Sequence, residues 1–147
     1  MRNALLFFHI VGVAGWLGAG AHSLITHSTV ARLEPPAGRE ALRTFEKKAT
    51  LYFSVTSGLV ILSGVGLVMT SDDYGWGDTF VLIGLGAFVV SGVIQSVVGR
   101  KNNERLLEAA TSGADVEPAV RAWQRGSMWD FLVLFVAIWT MITKLGA

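Results

Sequence analysis

The chain alternates long apolar runs with short polar segments. Three runs, residues 3–26, 49–71 and 79–99, contain no Asp, Glu, Lys or Arg. Each has the ~20 residues that a helix needs to cross a hydrocarbon layer about 30 Å thick. A fourth run, residues 128–143, is interrupted only by Asp130 near its start. The pattern predicts an all-α membrane protein built as a four-transmembrane-helix bundle.

Basic residues are concentrated in two of the connections between these runs. Ten of the twelve lie within residues 28–48 or 100–127, and the other two are Arg2 and Lys144. The middle connection, "SDDYGWGD", has three aspartates and no basic residue. Because basic loops are retained in the cytoplasm, this bias predicts that both termini and the middle loop lie outside.

The polar segments also indicate where the helices begin. After two prolines, "GREALRTFEKKATLYF" is rich in helix-forming residues, so we expect helix two to extend into the cytoplasm. Asp115 followed by Pro118 is typical of a helix start, and we expect the same of helix four. The first segment resembles a signal peptide, but its apolar stretch runs past the small residues "GAGA", which favours a retained helix. The prediction is one domain, 1–147, with helices at about 4–27, 38–71, 79–99 and 117–145.

Composition narrows the chemistry and the partners. The chain has no cysteine, which excludes disulfides, thiolate metal sites and thiol catalysis. Its net charge of +1 indicates no nucleic-acid partner, and its mean hydropathy of +0.51 indicates a lipid bilayer as its surroundings. Many of the 17 glycines lie in predicted helices, where small residues allow close helix packing. The same faces offer contacts for a homo-oligomer or a larger membrane complex.

All three histidines lie in the first predicted helix. At 100° per residue, His9 and His27 are about five turns apart and share a face with Trp16 and Gly20. His22 is about 140° from that face and ~20 Å along the axis from His9. No two of these histidines can ligate the same metal ion, so a two-histidine haem within one subunit is excluded.

His9 is expected at the same depth as two methionines. Met69 lies near the end of the second predicted helix and Met141 near the end of the fourth, both expected at the outer level. Because His plus Met is a ligand set of haem and of copper, we expect His9, Met69 and Met141 to converge on haem b or copper, with His9 as the metal ligand. The alternative is that no cofactor is bound. The methionines would then fill gaps in the core, and His9 would hydrogen-bond a neighbouring serine or carbonyl.

A second polar level is expected near the cytoplasm, formed by His22, Gln95 and Asp130. A carboxylate beside His22 would make a proton-handling pair. The alternative is that Asp130 anchors its helix at the interface beside Trp129. His27 is expected at the membrane boundary, in contact with water.

The segment "HIVGVAGWLGAGA" resembles a group of small bacterial membrane proteins that share a first-helix His, a Trp seven residues later and then small residues. The group includes the membrane domain of copper-resistance protein D, the HemJ-type protoporphyrinogen oxidases and an uncharacterised four-helix integral membrane family. The last is most similar, with a like basic loop and "SGLVILSGVGLVM" helix. The resemblance implies a multi-pass protein of the bacterial cytoplasmic (inner) membrane. It also places His9 and Trp16 at the group's signature positions, of which the His is implicated in haem binding in HemJ-type proteins.

The sequence lacks the Tyr-Leu-Pro-Arg segment of HemJ-type proteins, so the oxidase activity is not carried over, and we assign no catalytic residue. The leading hypothesis is a haem or copper site at His9 that serves electron transfer, sensing or cofactor handling. A second is a non-catalytic accessory or scaffold subunit of a larger membrane complex. A small transporter is less supported, because no predicted membrane helix is broken by proline and charged pathway residues are nearly absent.

Overall fold

The computed structural model describes residues 1–33 and 37–144. Its helices are α1 (Arg2–Val30), α2 (Ala37–Met69), α3 (Thr79–Val93), α4 (Arg100–Ser112) and α5 (Glu117–Thr143). A π-helical segment (Ile94–Gly99) joins α3 to α4, so the third helix runs from Thr79 to Ser112 without a break. Throughout the two described ranges, all regular structure is helical.

Four of these helical units are long and apolar enough to cross a membrane: α1, α2, the α3–α4 unit and α5. This confirms the prediction of an all-α protein with four membrane-length helices. Large apolar side chains point outward along all four units, as at Leu62 on α2 and Val89 on α3, which are 74% and 63% exposed. Apolar residues on the outer surface of a bundle suit contact with lipid.

The third helix is longer than the charge pattern predicts. Its expected end was residue 99, but it continues for another 13 residues as α4 and ends at Gly113, whose φ of 70° is the left-handed conformation that glycine favours. The extension was not predicted because α4 is rich in charged residues and therefore fails the criterion of a charge-free run. Its buried residues, Asn102, Leu106 and Ala110, are spaced by four and form one face. The end predicted for the last helix, residue 145, lies outside the described residues.

The most completely buried core lies at one end of the bundle, which we call the basic end because it carries residues 28–33, 37–48 and 100–127. Leu106 and Val120 are 0% exposed there. The core consists of Ala31, Leu42, Leu106, Ala110 and Val120. Asn102 donates from its side-chain amide to the carbonyl of Ala122 at 3.0 Å and links α4 to α5. The early starts of α2 and α5 bring their first turns into this core.

The four units close into a ring only at the basic end, where α4 packs against α2. Within the described residues α1 packs along α2 and α5, and α3 packs along α5, whereas the backbones of α2 and α3 do not approach each other closely. A cleft therefore lies between α2 and α3. Trp16 of α1 meets Phe88 of α3 edge to face, with ring centroids 5.4 Å apart. This pair separates two cavities along the cleft, the His9 cavity and, nearer the basic end, the Asp130 cavity.

Candidate functional site

The ring of His9 is held by α2 through one nitrogen. His9 Nδ1 lies 3.1 Å from the Val60 carbonyl oxygen and 3.2 Å from Ser63 Oγ. Because a carbonyl oxygen can only accept, the neutral ring carries its hydrogen on Nδ1 and its lone pair on Nε2. Nε2 has no hydrogen-bond partner among the described residues. Metal-ligating histidines are commonly oriented in this way, by a carbonyl that accepts from the other ring nitrogen.

Two glycines give His9 and Met141 their positions. A Cβ atom on Gly64 would lie 3.2 Å from His9 Cε1, and a Cβ atom on Gly84 would collide with the terminal methyl group of Met141. The ring of His9 therefore rests against bare α2 backbone, and the Met141 side chain rests against bare α3 backbone. Small residues permit such close approach between membrane helices.

The His9 cavity has a volume of about 350 Å³. His9 and Met141 line it together with mainly apolar side chains of α2 and α3, and Arg2, Tyr74 and Lys144 also lie on its wall. The Arg2 guanidinium and the Lys144 ammonium lie 5.8 and 5.9 Å from the centroid of the Tyr74 ring. The cavity thus combines an apolar interior with two cations grouped around one aromatic ring.

Of the predicted ligands, the structure brings together His9 and Met141 but not Met69. Met69 is 73% exposed and is not among the described residues that line the His9 cavity. It shares the expected depth, but its place on α2 turns it outward. Trp16 is buried at 7% exposed and closes the cleft beside Phe88, so it packs near the site.

The second polar level contains Gln95 and Asp130 without His22. Gln95 donates from Nε2 to Asp130 Oδ2 at 2.8 Å, and the Ser91 hydroxyl donates to Asp130 Oδ1. Ser91 was missed as a partner, although its four-residue spacing from Gln95 was a signal that could have identified it. His22 is exposed and meets Phe45 edge to face at 5.1 Å. The expected pair of His22 and Asp130 is absent because His22 lies on the exposed face of α1, away from Asp130.

The expectation that His27 is solvated is wrong. His27 is only 2% exposed, and its ring stacks on Trp123 with centroids 4.4 Å apart. Its Nδ1 donates to the Ser23 carbonyl oxygen at 2.9 Å. His27 is covered because α1 continues to Val30 and packs with α5 at the basic end, which the apolar run alone does not reveal.

The Asp130 cavity has a volume of about 520 Å³. Trp16 and Phe88 line it at the end nearer the His9 cavity. The Asp130 cavity receives Gly20, Ser23 and His27 from α1, and Asp130 from α5. The two cavities differ in chemistry: the His9 cavity offers an imidazole and a thioether, and the Asp130 cavity combines aromatic walls with a buried carboxylate. Comparison of the chain with protein-family models, with curated proteins and with solved structures finds no match to any of them.

Proposed function

We propose that this protein holds a redox cofactor at His9, haem b in the first place and copper as the alternative, and serves electron transfer, sensing or cofactor handling. One observation carries the proposal. The hydrogen on His9 Nδ1 is committed to the Val60 carbonyl, so the Nε2 lone pair is left free at a cavity that Met141 also lines.

The residues of the His9 cavity fit a haem. A haem has an apolar ring and two carboxylate groups, and the cavity has an apolar interior with Arg2 and Lys144 at Tyr74. Arg2 already donates from Nη1 to Asp73 Oδ2 at 3.1 Å, so its remaining N–H groups and the Lys144 ammonium would form the charge-assisted hydrogen bonds that hold the carboxylates. The separation of α2 and α3 leaves room for a flat group between them.

In this arrangement His9 Nε2 and Met141 Sδ would hold the iron. A bound haem would supply one-electron chemistry, and the identity of its axial ligands would set its potential. The chain's own contributions are to orient the imidazole through Val60 and Ser63 and to surround the ring with apolar side chains. Copper in its reduced state would be held by the same imidazole and thioether, which suit a soft ion.

The direct test is the optical spectrum and metal content of the protein purified after expression with haem precursor and copper supplied. We expect a Soret band with about one haem per chain or, for the alternative, bound copper without a Soret band. Wild-type protein with neither would refute the proposal and leave His9 as a packing residue.

We further propose that the basic end lies in the cytoplasm and both termini lie outside, in a bacterial inner membrane. Ten basic residues at the basic end against two elsewhere support this orientation. Alkaline phosphatase fused after Ala147 should be active, because it folds outside, and the same enzyme fused after Gly113 should be inactive. A green fluorescent protein at the same two positions should give the opposite pattern. Phosphatase activity only in the Gly113 fusion would show the opposite orientation and contradict this proposal.

A second candidate function, an accessory subunit of a larger complex, is favoured by glycines that this chain does not use for its own packing. Cβ atoms on Gly12 and Gly15 would lie 2.9 Å from α2 side chains, so these two pack within the chain. For the exposed Gly18 and Gly86, no described residue lies within 4 Å of such a Cβ atom. They leave small-residue surfaces for another membrane helix.

Under this candidate, Gly18→Leu should reduce the fraction of oligomer, measured by size exclusion with light scattering in mild detergent. Leucine would hold a partner helix away from the bare backbone of α1. Val55→Leu, at a position 62% exposed on α2, is the control and should leave the oligomer intact. A wild-type chain that is monomeric and purifies alone would contradict the accessory role.

A further inference from the structure

The Asp130 cavity has the size and walls of a small-molecule site. Its volume of about 520 Å³ is within the range of roughly 300–1,000 Å³ found for ligand pockets. Five aromatic residues contribute to its wall: Trp16, Phe53, Phe88, Trp123 and Phe131. Aromatic faces favour the apolar body of a guest and also attract cations.

Four hydroxyl groups on the wall donate within their own helices and can offer a guest only lone pairs. Ser54 donates to the Thr50 carbonyl at 2.9 Å, and Ser127 donates to the Trp123 carbonyl at 3.1 Å. Thr50 and Ser96 likewise donate to carbonyls of their own helices. A hydroxyl has a single hydrogen, so each oxygen is left with lone pairs alone. His27 adds another acceptor, because its Nδ1 donates to the Ser23 carbonyl and its Nε2 keeps the lone pair.

Some donors on the wall already have partners. Gln95 donates to Asp130, and Arg100 donates from Nε to Glu104 at 3.2 Å. The indole N–H of Trp123 is buried without a partner in the described part of the chain. The wall carries two carboxylates, Glu46 and Asp130, and one guanidinium, Arg100, and this balance favours a guest that carries positive charge.

Asp130 provides the charge that such a guest would meet. It is 6% exposed, and its two partners, Ser91 and Gln95, are neutral. None of the salt bridges among the described residues includes it. A buried carboxylate is unfavourable unless a proton or a cation neutralises it, and intramembrane carboxylates are commonly functional. Gln95 reaches Asp130 from the π-helical segment, a form of helix that is often found at functional sites.

We propose that the Asp130 cavity binds a small organic ammonium ion with an apolar body, for which Asp130 is the counter-ion. The aromatic residues would enclose the body, and the hydroxyl oxygens and His27 would accept hydrogen bonds from the ammonium group. The ionisable groups that face the cavity are His27 from α1, Glu46 from α2, Arg100 from α4 and Asp130 from α5.

Calorimetric titration of the full chain in detergent with phenethylammonium tests this proposal. We expect saturable binding to the wild type, and benzoate, an anion of similar size, should not bind. Asp130→Asn keeps the shape of the side chain but removes its charge, so it should weaken phenethylammonium binding by at least about tenfold. Asp72→Asn makes the same change at an exposed position and should leave the affinity unchanged.

A second variant keeps the test decisive if Asp130→Asn fails to fold. Ser54→Phe fills the cavity from α2 without altering Asp130, and it should also abolish binding. His9→Ala should leave ammonium binding intact, so this proposal and the cofactor proposal can fail separately. A wild type without saturable binding, equal affinity in folded Asp130→Asn, or equal binding of benzoate would overturn the proposal.

Discussion

Replacement of His9 by alanine is expected to abolish the Soret band of the haem-loaded protein. His9 is the one histidine among the described residues that line the His9 cavity, so the variant leaves no imidazole there to hold iron. The protein should still fold, because the Ser63 hydroxyl keeps its hydrogen bond to the Val60 carbonyl at 3.2 Å. The substitution therefore leaves no buried hydroxyl group unpaired. The measurement is the absorbance ratio of the Soret band to the protein band after purification.

The matched control is His22→Ala, which makes the same substitution on the outer side of α1. His22 is exposed and does not line the cavity, so this variant should keep the full Soret band. A band that persists in His9→Ala, or that is lost equally in both variants, would contradict ligation by His9. If copper is bound instead, His9→Ala should lower the amount of copper per chain and His22→Ala should not.

The two methionines provide a second contrast at the same site. Met141→Leu should shift the band or the reduction potential, since the axial ligand sets the potential of a haem. Met69→Leu should change neither, because Met69 is 73% exposed outside the cavity. Equal effects of the two substitutions would show that Met141 acts only by packing.

The membrane helices were predictable because lipid imposes a simple rule on sequence. A hydrocarbon layer excludes unpaired charge, so a charge-free run of sufficient length marks each crossing. The rule does not identify helices that are rich in charge, and α4 was missed for that reason. The sequence feature that predicts α4 is an apolar face, with Leu106 and Ala110, within a polar segment. Such a face repeats with the helical period of 3.6 residues and is not a continuous apolar run.

Parts of the sites were predictable because rotation along one helix follows from residue spacing. His9, Trp16, Gly20 and His27 were expected on one face of α1, and all four line the cavities between the helices. The same angles place His22 about 140° away from that face, and His22 is exposed in the structure. The position of a residue along its helix was less informative, because it does not indicate that the Met69 side chain points outward.

Contacts between helices were beyond sequence reasoning, since they depend on how two helices rotate against each other. Ser63 beside His9 and Ser91 beside Asp130 are examples. A serine hydroxyl in a helix can also donate to a backbone carbonyl of its own helix, so the sequence does not indicate which partner it takes. The gap between α2 and α3, which creates both cavities, is likewise a property of packing.

The basic end is expected to supply much of the stability of this bundle. Between helices in lipid there is little hydrophobic driving force, because the surrounding tails are as apolar as leucine. The basic-end core lies among segments rich in charge, and burial of apolar surface is favourable wherever such segments are in contact with water. Leu106 is 0% exposed in that core and contributes the α4 side of it.

Leu106→Ala should therefore lower the free energy of unfolding by about 2–5 kcal/mol, the range for a buried leucine that leaves a cavity. The measurement is denaturation in mixed micelles, followed by circular dichroism. Leu62→Ala is the matched control, since Leu62 is 74% exposed on α2 and loses contacts only with detergent or lipid. It should change the free energy of unfolding by no more than about 0.5 kcal/mol. Equal losses in the two variants would mean that the lipid-facing surface, rather than the basic-end core, holds the helices together.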